Sequence, residues 1–203
     1  MNAYNTALPL ILASTSPRRQ ALMEQARLNF KTMAVEIDES QLSCESVSDY
    51  LYRMVANKAD KAREQLNATT PTLVITADTV GLLDGVILGK PRDRAHAFAM
   101  WQAMSGNTHK VCTGVQATLV CGGDILWQQA LIDTTEVTFI TLNANDMANY
   151  WATGEPCDKA GAYAIQGFGA TWVSKINGSY TNVVGLPLPR LISLIDDLSL
   201  IHI

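Results

Sequence analysis

The chain has 203 residues, 48% of them apolar and 17% charged, with a formal net charge of -4. That length fits one large domain or two small ones, with enough apolar material for a real core. The acidic balance excludes a bulk nucleic-acid binder, so any polyanion must be met by a local basic cluster.

Leu10 to Leu12 reads as a short buried strand. Ser16 then suits an N-cap and Pro17 the first helical position of a helix reaching about Arg27. A strand, a small-residue loop and a helix start together gather free backbone N–H groups, which favours an anion, with Arg18 and Arg19 in the first turn. Glu36 to Ser40 is an acidic loop. A second helix is expected from Ser48, with an apolar stripe of Leu51, Met54, Val55, Ala62 and Leu66. Lys58 falls within that stripe, where a lysine must snorkel or meet a buried anion.

Leu73 to Ile75 is a continuous apolar run, as in a strand covered on both faces, and it leads to Asp78. A carboxylate just past a buried strand is where α/β sheets place their chemistry. Asp84-Gly85 reads as a two-residue hairpin turn. Pairing Leu83 with Val86 carries Lys90 opposite Thr79, beside Asp78. A bulge at Gly81 would break that register. The run GVILGKP is no P-loop, because its glycines are one residue too close and Pro91 replaces the required hydroxyl residue.

A helix follows over Arg92 to Ser105 with Gly106 as its stop, then strands over Lys110 to Val120 and Ile125 to Thr141 around Gly122-Gly123. Asn143 can cap a short helix ending at Gly154. The 17 residues from Gly154 to Ala170 hold four glycines and no periodicity, the mark of a functional loop. Tyr163, Ile165 and Phe168 within it argue against disorder. Asn177-Gly178 is a turn, and a closing helix runs from Pro187. The absence of repeats, linkers and low-complexity tracts points to one continuous α/β unit with two lobes, residues 1–203, with peripheral tails at 1–8 and 199–203.

Cys44, Cys112, Cys121 and Cys157 form no C-x-x-C pair and read as reduced, buried thiols of a cytosolic protein. His96, His109 and His202 lie in no metal-ligand spacing, which argues against zinc. No positive segment precedes the first apolar run and no cleavage site follows it, so no signal peptide is expected. No apolar run approaches the length of a membrane span.

Seven motifs occur in order: SPRR at Ser16 to Arg19, NKA at Asn57 to Ala59, ADT at Ala77 to Thr79, GKP at Gly89 to Pro91, DKAGAYAIQG at Asp158 to Gly167, INGSY at Ile176 to Tyr180 and VVGLPL at Val183 to Leu188. Together they resemble the Maf family of nucleoside triphosphate pyrophosphatases, from about Leu10 to about Leu198. The resemblance implies an inosine triphosphatase-like α/β fold, an elongated mixed sheet flanked by helices with a central cleft between two lobes. It also implies cleavage of a nucleotide between its α- and β-phosphates with a divalent metal, Mg²⁺ or Mn²⁺. Arg19, Thr79 and Gln166 match the branch that prefers dTTP and UTP over 7-methyl-GTP. A Gln amide offers one donor and one acceptor, which suits the N3–H and carbonyl of uracil or thymine.

On this resemblance Asp78 is the proton acceptor, with Lys58, Lys90 and Arg18 as phosphate-side cations and Ser14 to Ser16 adding donors. Glu36 and Glu39 are the metal-ligand candidates, with Asp78 shared, although a solvated acidic loop is the plain alternative. Asp158-Lys159 is either a loop-stabilising pair or a closure over the base. The implied protein is a cytoplasmic homodimer that cleans the nucleotide pool, including modified pyrimidine nucleotides. Neither nucleic acid nor membrane is an implied partner. A nucleotide-binding regulator of septum formation with little turnover is one rival, and an enzyme clearing inosine or xanthosine triphosphate is another.

Overall fold

The computed structural model describes residues 8–201. Of the peripheral tails expected at 1–8 and 199–203, residues 1–7 and 202–203, and with them His202, lie outside the described residues. Seven strands, β1 (Leu10–Leu12), β2 (Lys31–Thr32), β3 (Thr72–Leu83), β4 (Val86–Leu88), β5 (Thr108–Cys121), β6 (Asp124–Phe139) and β7 (Val173–Asn177), form a mixed sheet in the order β2-β1-β3-β5-β6-β7, with β4 paired to β3. The chain divides into two compact units, and its path crosses between them four times: the first unit holds 1–78, 113–133 and 185–203, the second 79–112 and 134–184. No helix among the described residues is long and apolar enough to cross a membrane.

In the first unit, β1 (Leu10–Leu12) runs parallel to both β2 (Lys31–Thr32) and the first part of β3 (Thr72–Leu83). β1 falls where the apolar run places it. The helix α1 (Pro17–Gln25) follows, with Pro17 at its start, but the Ser16 side chain makes no cap bond. The Ser14 hydroxyl holds the N–H of Ser16 itself, at 3.2 Å, ahead of the first turn. The helix α2 (Val47–Gln65) begins earlier than expected because Ser46, not a later serine, accepts from the Asp49 N–H and caps it. Its buried side is Tyr50, Leu51, Met54, Val55, Lys58, Ala59 and Ala62, the period of a packed helix face. Thr76 ties β3 to this helix by donating to the Val55 carbonyl at 2.8 Å.

Asp78 does not stand past the end of a strand. β3 continues through it to Leu83, with β5 beside it in the sheet and the hairpin strand pairing from Gly81 onward. In the second unit β3 pairs with β4 (Val86–Leu88) as Gly81 with Leu88, Leu82 with Ile87 and Leu83 with Val86. The assumed register therefore holds and Gly81 forms no bulge. Glycine instead eases a close approach there: a Cβ would stand 3.1 Å from the Leu88 Cβ. The ladder ends at Leu88, so Lys90 lies two residues beyond the strand and is exposed.

The helix α3 (Arg94–Met104) is capped by Asp93, and α4 (Ala144–Ala152) carries a full capping box from Asn143 and Asp146. The strands β5 (Thr108–Cys121) and β6 (Asp124–Phe139) flank the two-glycine turn. The glycine-rich stretch is not irregular: it folds as short 3-10 turns at Glu155–Asp158, Ala160–Ala162 and Phe168–Trp172. β7 (Val173–Asn177) and α5 (Tyr180–Val184) had no clear sequence signal, and α6 (Leu188–Ile201) closes the chain. The cysteines are free, but only Cys112 is buried, while Cys44 and Cys157 are exposed.

His109, 2% exposed, sits on β5 against the Tyr163 hydroxyl at 2.8 Å and edge-on to Phe139. Burial pushes its pKa down to about 4. Because the unfolded chain takes up this proton near pH 6.5 and the folded chain does not, stability falls as pH drops from about 6.5 towards 4. The expected loss from this group is about 3 kcal/mol. Denaturant unfolding at pH 7 and pH 4.5 should show a smaller drop for His109→Gln than for wild type. Equal drops would remove His109 as the cause.

Candidate active site

In the first unit, β3 and α2 bring two of the expected residues into one buried ion pair. Lys58 Nζ donates to Asp78 Oδ1 at 2.6 Å, with the two residues 7% and 8% exposed. The lysine on the packed face therefore meets a buried anion and does not snorkel. The same ammonium also pairs with Glu39 Oε1 at 2.9 Å, on a half-exposed carboxylate. Glu39 Oε1 and Asp78 Oδ1 thus share one cation and are no farther apart than those two distances laid end to end.

Tyr50 and Arg53, on the same helix, hold the acidic loop in place. The Tyr50 hydroxyl donates to the Glu39 carbonyl at 3.1 Å, and Arg53 donates to the Ser40 carbonyl at 2.9 Å. Arg53 is itself anchored on Glu45 at 2.5 Å. Burial, with Asp78 and Glu39 next in effect, pushes the Tyr50 phenol up, so it remains a donor. Sequence reasoning did not single out these two residues. Periodicity marks only that Tyr50, Met54 and Lys58 recur at intervals of four along one helix face; nothing in it marks Arg53 or the carbonyls that both residues hold.

At the start of α1, Arg19 is pinned by its Nε, which donates to the Gly185 carbonyl at 2.8 Å, while Nη1 reaches the Ser14 hydroxyl at 3.5 Å. Desolvation lowers the Arg19 pKa; Asp78 opposes that, Arg18 adds to it and Glu39 opposes it. Ser14, Arg19, Glu39, Lys58 and Asp78 therefore form one electrostatic neighbourhood. Arg18 is half-buried beside Arg19. Glu36 is exposed on the loop.

Among the described residues no three His, Cys, Asp or Glu side chains gather as a ready metal site. The Glu39 and Asp78 carboxylates that share the Lys58 ammonium nonetheless fit, by their chemistry, a hard ion that uses one or two carboxylates and takes its other ligands from phosphates and water.

Thr79, Lys90 and Gln166 belong to the second unit. Thr79 is half-buried on β3, and Lys90 and Gln166 are exposed. The Gly89 carbonyl, next to Lys90, accepts from the Gly161 N–H at 3.0 Å, which ties the GKP and DKAGAY motifs together. Lys159 pairs with Asp158 and donates to the Glu155 carbonyl at 3.1 Å, so this pair stabilises its own turn.

Among known proteins, the family model described as Maf-like protein matches residues 9–198. A relative from Psychrobacter cryohalolentis, described as a dTTP/UTP pyrophosphatase, is 45% identical, covering 95% of this chain and 98% of that protein. One from Salmonella typhimurium with the same description is 46% identical, covering 88% of this chain and 87% of that protein. Among solved structures, a nucleoside-triphosphatase / dITP/XTP pyrophosphatase from Mycobacterium abscessus overlaps in part, with a TM-score of 0.42 at 13% identity over 68% of this chain and 77% of that one.

Proposed function

Because the chain belongs to the Maf-like protein family, we propose that it hydrolyses dTTP and UTP to the monophosphate and pyrophosphate, in a cytoplasmic house-cleaning role that extends to modified pyrimidine nucleotides. The observation that carries this reading is the buried Lys58–Asp78 pair with Glu39 on its open side, in a chain 45% identical to a dTTP/UTP pyrophosphatase.

A water oxygen attacks the α-phosphorus, the bond from that phosphorus to the bridging oxygen breaks, and pyrophosphate leaves. Asp78 takes the proton of the attacking water. Lys58, already on Asp78, keeps the carboxylate oriented and faces the developing phosphate charge. Arg18 and Arg19 grip phosphate oxygens, which their planar forks suit, and Ser14 adds a hydroxyl. Lys90 acts as a point charge on the phosphates. Glu39 and Glu36, with Asp78 shared, would hold a divalent metal, which supplies charge neutralisation on the triphosphate when bound. The whole chain acts as one nucleotide pyrophosphatase domain.

Pyrophosphate release from a panel of nucleoside triphosphates with Mg²⁺ or Mn²⁺ tests the reading. Release greatest from dTTP and UTP supports it. Tight binding with no release would favour the regulator, and release chiefly from inosine or xanthosine triphosphate would favour the purine-clearing enzyme.

Thr79 and Gln166 set base preference in this reading. Guanine presents adjacent N1–H and N2–H donors, which suit a carboxylate better than an amide. Gln166→Glu should lower the ratio of UTP to 7-methyl-GTP turnover by about tenfold or more. An unchanged ratio would remove Gln166 from base reading.

The same reading makes the protein a homodimer. The outer side of β6 from Asp124 to Ile132 supports it, since β7 pairs with β6 only over Glu136–Phe139. Light scattering at micromolar concentration returning a monomer mass would overturn it.

A further inference from the structure

The backbone leading to Gln166 is fastened residue by residue. Trp101 Nε1 donates to the Ala162 carbonyl at 3.0 Å, and the Tyr163 hydroxyl meets His109 Nε2 at 2.8 Å. The Ala164 N–H donates to the Tyr150 hydroxyl at 3.0 Å. That hydroxyl donates in turn to Glu155 Oε1 at 2.5 Å, and Glu155 Oε2 accepts the Phe168 N–H at 3.1 Å. One chain of hydrogen bonds thus runs from two residues before Gln166 to two residues after it, through a fully buried tyrosine. Burial and the Glu155 carboxylate push the Tyr150 phenol up, which keeps it a donor.

The sequence around Gln166 makes room for this relay. A Cβ on Gly167 would fall on the Glu155 carboxylate. A Cβ on Gly169 would stand 2.8 Å from the Ala164 carbonyl and 2.9 Å from the Tyr150 hydroxyl. Both glycines of the IQGFG run are therefore explained by Tyr150 and Glu155, not by a need for a flexible loop. Phe168 stacks on the Tyr150 ring at 5.6 Å and 27° while remaining 46% exposed, so the relay is sealed on one side by an aromatic pair. Gln166 is the exposed residue in the middle of this fixed segment.

We propose that Tyr150 and Glu155 are the positioning residues for base recognition: they fix the backbone on both sides of Gln166, so that its amide meets a uracil-type base without first being ordered. The inference rests on the reading of Gln166 given above. Ordering a side chain and its backbone before the ligand arrives removes a cost from binding, not from the chemical step. Loosening the relay should therefore appear in KM.

The test compares Tyr150→Phe and Glu155→Gln, each alone and combined with Gln166→Ala. Tyr150→Phe keeps the ring stack and removes the shared hydroxyl, and Glu155→Gln keeps the shape. Each single variant should raise the KM for UTP by about tenfold with kcat changed by less than about threefold. The preference for UTP over CTP should fall with it, and hydrogen exchange at the Ala164 and Phe168 amides should quicken. In the Gln166→Ala background the same substitutions should change KM by less than about twofold.

Losses that multiply in that background, or a fall in kcat at constant KM, would overturn the proposal and leave the relay a purely structural feature. If Gln166→Ala alone leaves the UTP-to-CTP preference intact, the base reading itself falls and the proposal falls with it. If Tyr150→Phe does not fold, Glu155→Gln decides the question alone.

Discussion

Asp78→Asn should lower kcat for UTP hydrolysis by about 10²–10⁴-fold while leaving nucleotide binding intact. The amide is isosteric with the carboxylate but cannot accept the water proton. It also removes the charge from the shorter contact of Lys58, whose hydrogen bond the amide oxygen can still accept, and leaves the Glu39 pair at 2.9 Å. A lysine facing one carboxylate charge fewer is more available to a triphosphate, so KM should stay constant or fall. Steady-state kinetics with direct binding of UTP separates the two effects. Turnover within tenfold of wild type would remove Asp78 from the proton transfer. A rise in KM with constant kcat would make it a binding residue instead.

Lys58→Met should cost about 3–5 kcal/mol of folding stability, because it leaves the Asp78 carboxylate buried without its cation. Glu39 loses the same partner at little cost, since it is half-exposed and water can replace the ammonium. The double variant Lys58→Met with Asp78→Asn should recover most of the loss, as no unpaired buried charge remains. Chemical denaturation of the wild type, both single variants and the double variant closes the cycle. Additive losses in the double variant would show that packing of the Lys58 stem, not the ion pair, is what the site depends on. Activity should be lost in all three variants, so stability and turnover are read separately.

The strands and helices with strong periodicity were legible in the sequence, as were the turns that need positive φ. β1, the Asp84-Gly85 hairpin and the Asn143 cap are local signals, and each fell in place. The Leu83–Val86 register could be written down before any coordinates, since a two-residue turn leaves one pairing. Local signals failed where a distant partner decides. Asp78 lies inside β3 because that strand has β5, distant in sequence, as a sheet neighbour and runs on into the hairpin. Ser16 stands at the N-cap, but its side chain makes no cap bond and its own N–H is held by the Ser14 hydroxyl. The glycine-rich segment read as loop because 3-10 turns held by Trp101, Tyr150 and Glu155 carry no periodicity of their own.

At the candidate site, residue types were legible and pairings only in part. Lys58 stood out because a lysine on an apolar stripe needs a reason. Its partner on β3 is 20 residues away in sequence, and its partner on the acidic loop 19. Lys90 was carried towards Asp78 by extending a ladder that ends at Leu88. Tyr50 and Arg53 escaped notice because they act through backbone carbonyls, which no residue code displays.

The fourfold crossing of the chain between the two units sets a limit on inheritance. Each unit is assembled from segments that are interrupted by the other, so no single cut in the gene yields either one whole. A recombination event inside residues 79–184 would hand a descendant fragments of both. Moving the proposed base readers Thr79 and Gln166 as a module, apart from the proposed phosphate residues at 14–78, would tear residues 113–133 and 185–203 from the rest of their own unit. Change of base preference is therefore expected by substitution at positions such as Thr79 and Gln166, and not by exchange of a module.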